Sequence, residues 1–130
     1  LVLESGNMEN GKKRILVVDD DKFVRGGLME VLTIRGYDVD TAEDGYEALK
    51  QVEEGEFDLI LLDLILPGIS GVETLTRILR SKPLSNVIAM TAYSEQAVVA
   101  KAMAEGAKRC FLKPMDLDLL EDALKEVASA

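Results

Sequence analysis

The feature that most constrains this chain is a set of short, unbroken apolar runs, each stopping at a polar or charged residue. Ile15-Leu16-Val17-Val18 stops at Asp19, Asp20 and Asp21, and Leu59-Ile60-Leu61-Leu62 stops at Asp63. Val87-Ile88-Ala89-Met90 stops at Thr91, and Phe111-Leu112 stops at Lys113. Runs without in-out alternation belong to strands covered on both faces, the mark of a parallel sheet between helix layers.

The segments between the runs carry helical spacing. Strand 14–18 leads to a helix over 23–35 with Val24, Leu28, Val31 and Leu32 on one face, ended by Gly36. Gly26 and Gly27 weaken that helix, and the sequence reads them as a close approach of helix to sheet rather than of a partner. A strand over 37–41 follows, then a helix over 45–53 capped by Asp44 with Glu47 as capping-box partner. Strand 58–62, the turn at Pro67-Gly68, helix 71–79 and strand 86–90 come next. Ser94 caps a helix to Glu105, Gly106 ends it, and strand 109–112 precedes a last helix capped by Asp116. Five strands thus alternate with five helices. Residues 11–130 read as one domain with no linker to a second. Residues 1–10 read as a disordered or cloning-derived segment, with Met8 as a plausible native start.

Composition narrows the chemistry. The formal charge of −9 disfavours direct nucleic-acid binding, which rests on neutralising phosphates. No histidine is present, which removes His-based zinc sites, Ser-His-Asp and Cys-His triads, and a phosphohistidine within this stretch. A lone Cys110 forms no internal disulfide and fits a reducing cytoplasm. No apolar stretch approaches a membrane span and no signal peptide is visible, so no membrane insertion is expected. Carboxylate, hydroxyl and ammonium groups remain. In an open parallel sheet the carboxyl ends of the strands share the edge where ligands bind. The strand-end carboxylates, Thr91 and Lys113 should therefore converge, and crowded carboxylates need a cation. Mg²⁺ (or Mn²⁺) with phosphoryl chemistry is the leading reading.

Ile15-Leu16-Val17-Val18-Asp19-Asp20, Leu61-Leu62-Asp63-Leu64, Pro67-Gly68, Met90-Thr91-Ala92 and Lys113-Pro114 together resemble the response-regulator receiver domain of two-component signalling, over residues 12–128. The resemblance implies a flavodoxin-like fold, a (βα)5 three-layer α/β sandwich with a parallel five-stranded sheet in the order 2-1-3-4-5. It implies that Asp63 is the phosphoacceptor and that Asp19 and Asp20 hold the metal, joined by Asp63 and the backbone carbonyl of Ile65. Asp20-Asp21 is the alternative register for the acidic pair, with Asp21 otherwise the cap of the first helix. Thr91 and Lys113 would contact the phosphoryl group, with the backbone N–H groups of Leu64 and Ala92 as further donors. A cis Lys113-Pro114 bond is expected, aiming the ammonium inward. A sensor histidine kinase or histidine phosphotransfer protein would be the donor, docking on the first helix and the loop around Pro114. A downstream protein target would be met on the fourth helix, fifth strand and fifth helix. The chain would be a signalling phosphoacceptor rather than an enzyme proper.

One position departs from the family pattern. Cys110 stands where the family commonly has Tyr or Phe, and Phe111 points to the other sheet face. That puts an aromatic rotamer switch in doubt and is similar to single-domain phosphorelay regulators. Ile65 and Tyr93, at positions that tune hydrolysis in the family, lack groups to orient water, so a long-lived acyl phosphate is expected. Alternatives are a receiver fragment of a larger transcription factor or other effector and, more remotely, an Asp-nucleophile phosphatase of the haloacid-dehalogenase type suggested by Asp19-x-Asp21.

Overall fold

A computed structural model describes residues 11–92 and 96–129. The expectations for residues 1–10, for Tyr93 and for the Ser94 cap lie outside the described residues. In chain order the elements are β1 (Arg14–Val18), α1 (Lys22–Ile34), β2 (Asp38–Ala42), α2 (Gly45–Glu54), β3 (Leu59–Asp63), α3 (Gly71–Ser81), β4 (Val87–Thr91), α4 (Gln96–Glu105), β5 (Arg109–Leu112) and α5 (Leu117–Ser129). All strand pairings are parallel and the sheet order is β2-β1-β3-β4-β5, the flavodoxin-like order read from the sequence.

Each strand is apolar throughout because each face meets its own helix layer. Ile15 and Val17 of β1 join Leu59, Leu61, Ile88 and Met90 beneath α1 and α5. Leu16 and Val18 join Ile60, Leu62, Val87 and Ala89 beneath α2, α3 and α4. Burying one such aliphatic side chain stabilises the fold by roughly 1.5–3 kcal/mol.

Strands β2, β3 and β4 start and stop one residue later than the ranges 37–41, 58–62 and 86–90 read from the sequence. The backbone ladder does not read side chains: Asp63 pairs with Met90, and Thr91 with Leu112. Asp63 and Thr91 are therefore last residues of strands, fixed by the sheet rather than carried on loops.

Caps follow the local chemistry. Asp21 accepts hydrogen bonds from the Phe23 and Val24 N–H groups and opens α1. Asp44 accepts from Glu47 N–H, while the Glu47 carboxylate reaches back to Glu43 N–H rather than to that of the cap residue. Asp116 accepts from Asp118 and Leu119 N–H groups at the head of α5. Gly36 takes φ +100° after α1, a left-handed conformation that favours glycine.

The expected close approach at Gly26 and Gly27 is not found. Both are exposed, and a Cβ added at either would meet nothing within 4 Å. The glycines lie on the solvent side of α1, opposite Leu28 and Leu32, so sheet packing does not require them. With open space and ordinary helical backbone, alanine is better on backbone entropy alone. Gly26→Ala and Gly27→Ala are each expected to stabilise the chain by about 0.5–1 kcal/mol. The measurement is a urea midpoint that rises while the slope stays constant. A lowered midpoint would mean that the helix is packed there after all.

Candidate functional site

The carboxyl edge of the sheet gathers the strand-end residues. Asp19 follows β1 and is fully buried, Asp63 ends β3 with 4% exposure, and Thr91 ends β4 with 2%. Lys113 follows β5, its backbone N–H tied to the Thr91 carbonyl at 2.8 Å. Its ammonium donates to an Asp63 carboxylate oxygen at 2.7 Å and also to Asp19, so one cation bridges two carboxylates from neighbouring strands. The Lys113 side chain is only 15% exposed. The Lys113-Pro114 peptide is cis.

Carboxylate oxygens of Asp19, Asp20 and Asp63 all lie within 4.8 Å of one another. Among the described residues the Asp20 side chain, which is exposed, makes no hydrogen bond or ion pair. Three carboxylates against one ammonium leave net negative charge on a partly desolvated edge, where like charges repel strongly. An all-oxygen donor set with one open, solvent-facing carboxylate suits a hard divalent cation that keeps several waters. The residues present therefore fit such an ion. Asp21 is spent on capping α1, so it is the Asp19-Asp20 pair that faces Asp63.

Burial pushes the Asp63 carboxyl above its ordinary value, against the opposing pull of the Lys113 ammonium and the Ile65 N–H. Lys113 is also held above its ordinary value: burial works against the charge, but hydrogen bonds to Asp19 and Asp63 outweigh it. The proton thus stays on the ammonium, and the site keeps a fixed positive point between its acids.

One expected donor is corrected. The Leu64 N–H is bound to the Met90 carbonyl at 2.9 Å, extending the β3–β4 ladder, and Leu64 is buried. It is not free to bind a phosphoryl group. The N–H that meets the acceptor carboxylate is that of Ile65, at 2.9 Å from Asp63 Oδ1. Ala92 is exposed directly beyond Thr91.

The sequence reading missed two residues. Gly71 opens α3 so close to β3 that a Cβ there would stand 2.2 Å from the Asp63 carbonyl oxygen and 2.3 Å from Leu64 Cα. Only glycine lets the helix start against the strand end. Arg25 on α1 donates to the Asp19 carbonyl at 2.7 Å. A basic residue one turn after the capping Asp21 was the available signal for it.

Cys110 packs toward the α2–α4 layer and Phe111 toward the α1–α5 layer. Burial pushes the Cys110 thiol up, which leaves it a weak nucleophile. A surface hollow of about 560 Å³ at the opposite sheet edge is lined by Lys12, Arg14, Asp38, Glu56, Phe57 and Asp58. It lies at the other end of the strands from the acidic cluster, and its Arg14 is already engaged: the guanidinium pairs with Asp38 at 3.7 Å, bonds Asp40 outside the hollow at 2.6 Å and stacks on Phe57.

Comparison with known proteins agrees with this geometry. The response regulator receiver domain profile matches residues 15–125. Chemotaxis protein CheY of Thermotoga maritima is 32% identical over 117 residues, 89% of this chain and 98% of that protein. Sporulation initiation phosphotransferase F of Bacillus subtilis is 39% identical over 114 residues, 88% of this chain and 92% of that protein. Response regulator protein TrrA from Thermotoga maritima, solved in complex with Mg²⁺-BeF, superposes with a TM-score of 0.81 at 41% identity, covering 88% of this chain and 98% of that one.

Proposed function

This chain belongs to the response regulator receiver domain family, and on that footing we propose that Asp63 accepts a phosphoryl group from a phosphohistidine on a partner protein. The observation that carries the reading is the Lys113 ammonium held between Asp19 and Asp63 beside the open carboxylate of Asp20. A carboxylate oxygen of Asp63 attacks phosphorus in line, the phosphorus–nitrogen bond of the donor breaks, and an acyl phosphate forms. Lys113 stays protonated and neutralises the incoming phosphoryl oxygens. In this reading the Thr91 hydroxyl and the Ala92 N–H donate to them, a short list sufficient for a reaction driven by positioning and charge. Asp19, Asp20, Asp63 and the Ile65 carbonyl would hold Mg²⁺, whose charge offsets that of the phosphoryl oxygens.

The chain contains no histidine, so the donor group comes from outside this stretch, on a sensor histidine kinase or histidine phosphotransfer protein, or from a small phosphodonor. The exposed side of α1, carrying Phe23, Gly26 and Gly27, lies next to the site and is free to receive it. A downstream protein target is read on α4, β5 and α5. The working compartment is taken as the cytoplasm, consistent with a lone thiol. Among the described residues no helix is long and apolar enough to cross a membrane.

The test is intact-mass spectrometry after exposure to acetyl phosphate. A single phosphoryl adduct, dependent on Mg²⁺, abolished by EDTA and released by hydroxylamine, is expected. No adduct under any divalent cation would overturn the reading. The adduct should persist for minutes or longer, because Ile65 has no carboxylate or amide to orient an attacking water. Decay within seconds would count against that.

A further inference from the structure

We propose that Arg25 is a positioning residue for the cation site, setting the orientation of the Asp19-Asp20 peptide from behind. The inference rests on the divalent-cation reading of the acidic cluster. Every polar group of Asp19 is engaged. Its N–H donates to the Ala42 carbonyl at 3.1 Å, its Oδ1 accepts from Asp21 N–H at 2.9 Å, and its Oδ2 accepts from Lys113. Its carbonyl accepts from the Arg25 guanidinium at 2.7 Å. Asp20 is the opposite case, exposed and without a side-chain partner among the described residues. Its carboxylate can be aimed only through its backbone.

A peptide unit is planar and rigid, so the direction of the Asp19 carbonyl sets the plane that carries Asp20. By holding that carbonyl toward α1, Arg25 turns Asp20 to the side where Asp63 lies. The half-buried guanidinium has no carboxylate within ion-pair reach among the described residues, although three carboxylates cluster beyond the peptide it grips. It is anchored by the first turn it belongs to: Arg25 N–H donates to the Asp21 carbonyl, and Asp21 caps α1. Cap, helix and acidic loop thus form one unit.

Charge and position make opposite predictions here. As a bare positive charge near the cluster, Arg25 would repel a divalent cation, and removing it would tighten binding. As a positioning residue, its loss loosens Asp20 and weakens binding. Calorimetric titration with Mg²⁺ on native protein, Arg25→Met and Arg25→Lys separates them. Half-saturation is expected to rise roughly tenfold in Arg25→Met, as when a residue that orients a metal ligand is removed. Arg25→Lys, which keeps a donor and the charge, should fall between the two. At saturating Mg²⁺ the extent of acetyl phosphate labelling in Arg25→Met should return to the native level, because the reacting groups are untouched. Unchanged or tighter Mg²⁺ binding, or labelling still lost at saturation, overturns the proposal. Melting curves on the same samples check the fold, and Arg25→Gln serves with the same outcomes should the methionine variant not fold. If native protein binds no divalent cation, the cation reading itself fails, a result distinct from these.

Discussion

Asp63→Asn is expected to abolish the acetyl phosphate adduct completely while leaving the protein at least as stable as native at neutral pH. Loss of labelling follows because an amide has no anionic oxygen to attack phosphorus. The stability result follows from the sign of the Asp63 shift. Its folded value lies above the ordinary 3.8, with burial as the largest cause. The unfolded state therefore gives up its proton first. The group's contribution to stability is fully present below 3.8 and is lost as pH rises through the folded value. At neutral pH the charged Asp63 is a liability, held for function against the fold's preference. Asparagine removes the charge and the repulsion from Asp19, and Lys113 keeps Asp19 as partner. Thermal melts across pH 4–8 should show native stability declining with pH over a range in which the variant declines less. Labelling of Asp63→Asn at the native level would place the acceptor elsewhere.

Much of this was legible from residue pattern because the pattern and the physics coincide. A parallel strand buried on both faces has to be apolar to its end, so the first charged residue marks the sheet edge. That is why Asp19, Asp63, Thr91 and Lys113 could be placed on one edge from sequence. Contacts made by backbone were not legible. Nothing in the side chain of Leu64 shows that its N–H is consumed by Met90, or that the Ile65 N–H takes the place beside Asp63. The same holds for Arg25, whose partner is a carbonyl, and for Gly71, needed because α3 begins against the Asp63–Leu64 backbone. Glycine itself is ambiguous in sequence. Gly26 and Gly27 face open solvent and Gly71 faces backbone, a difference set by packing directions that a one-dimensional pattern does not contain.

Lys113→Met is expected to lower stability in EDTA, to tighten Mg²⁺ binding, and to make the melting temperature depend steeply on Mg²⁺. In the native chain the ammonium is the only cation paired with the carboxylates of Asp19 and Asp63 among the described residues. Its folded value is raised, so its contribution is fully present below the ordinary 10.5 and is lost only as pH rises through the folded value. At neutral pH the whole of that contribution is at stake. Breaking a buried pair by removing one partner costs about 3–5 kcal/mol, and the 15% exposure of Lys113 argues for the lower end, about 3 kcal/mol. Asp63, already pushed up by burial, loses the bond that opposes the push and shifts further in the same direction. The variant should therefore lose more stability than native as pH rises toward neutrality. A divalent cation would then meet the acids without the ammonium beside them. Two unit charges about 4 Å apart at an effective dielectric of 20 interact with roughly 4 kcal/mol, so a gain of about tenfold in Mg²⁺ affinity, or ~1.4 kcal/mol, needs only part of that term. Because Mg²⁺ binds the folded chain, it should raise the variant's melting temperature more than the native one's. A Lys113→Met protein that melts at the native temperature in EDTA and binds Mg²⁺ no tighter would show that the ammonium is not what neutralises these carboxylates.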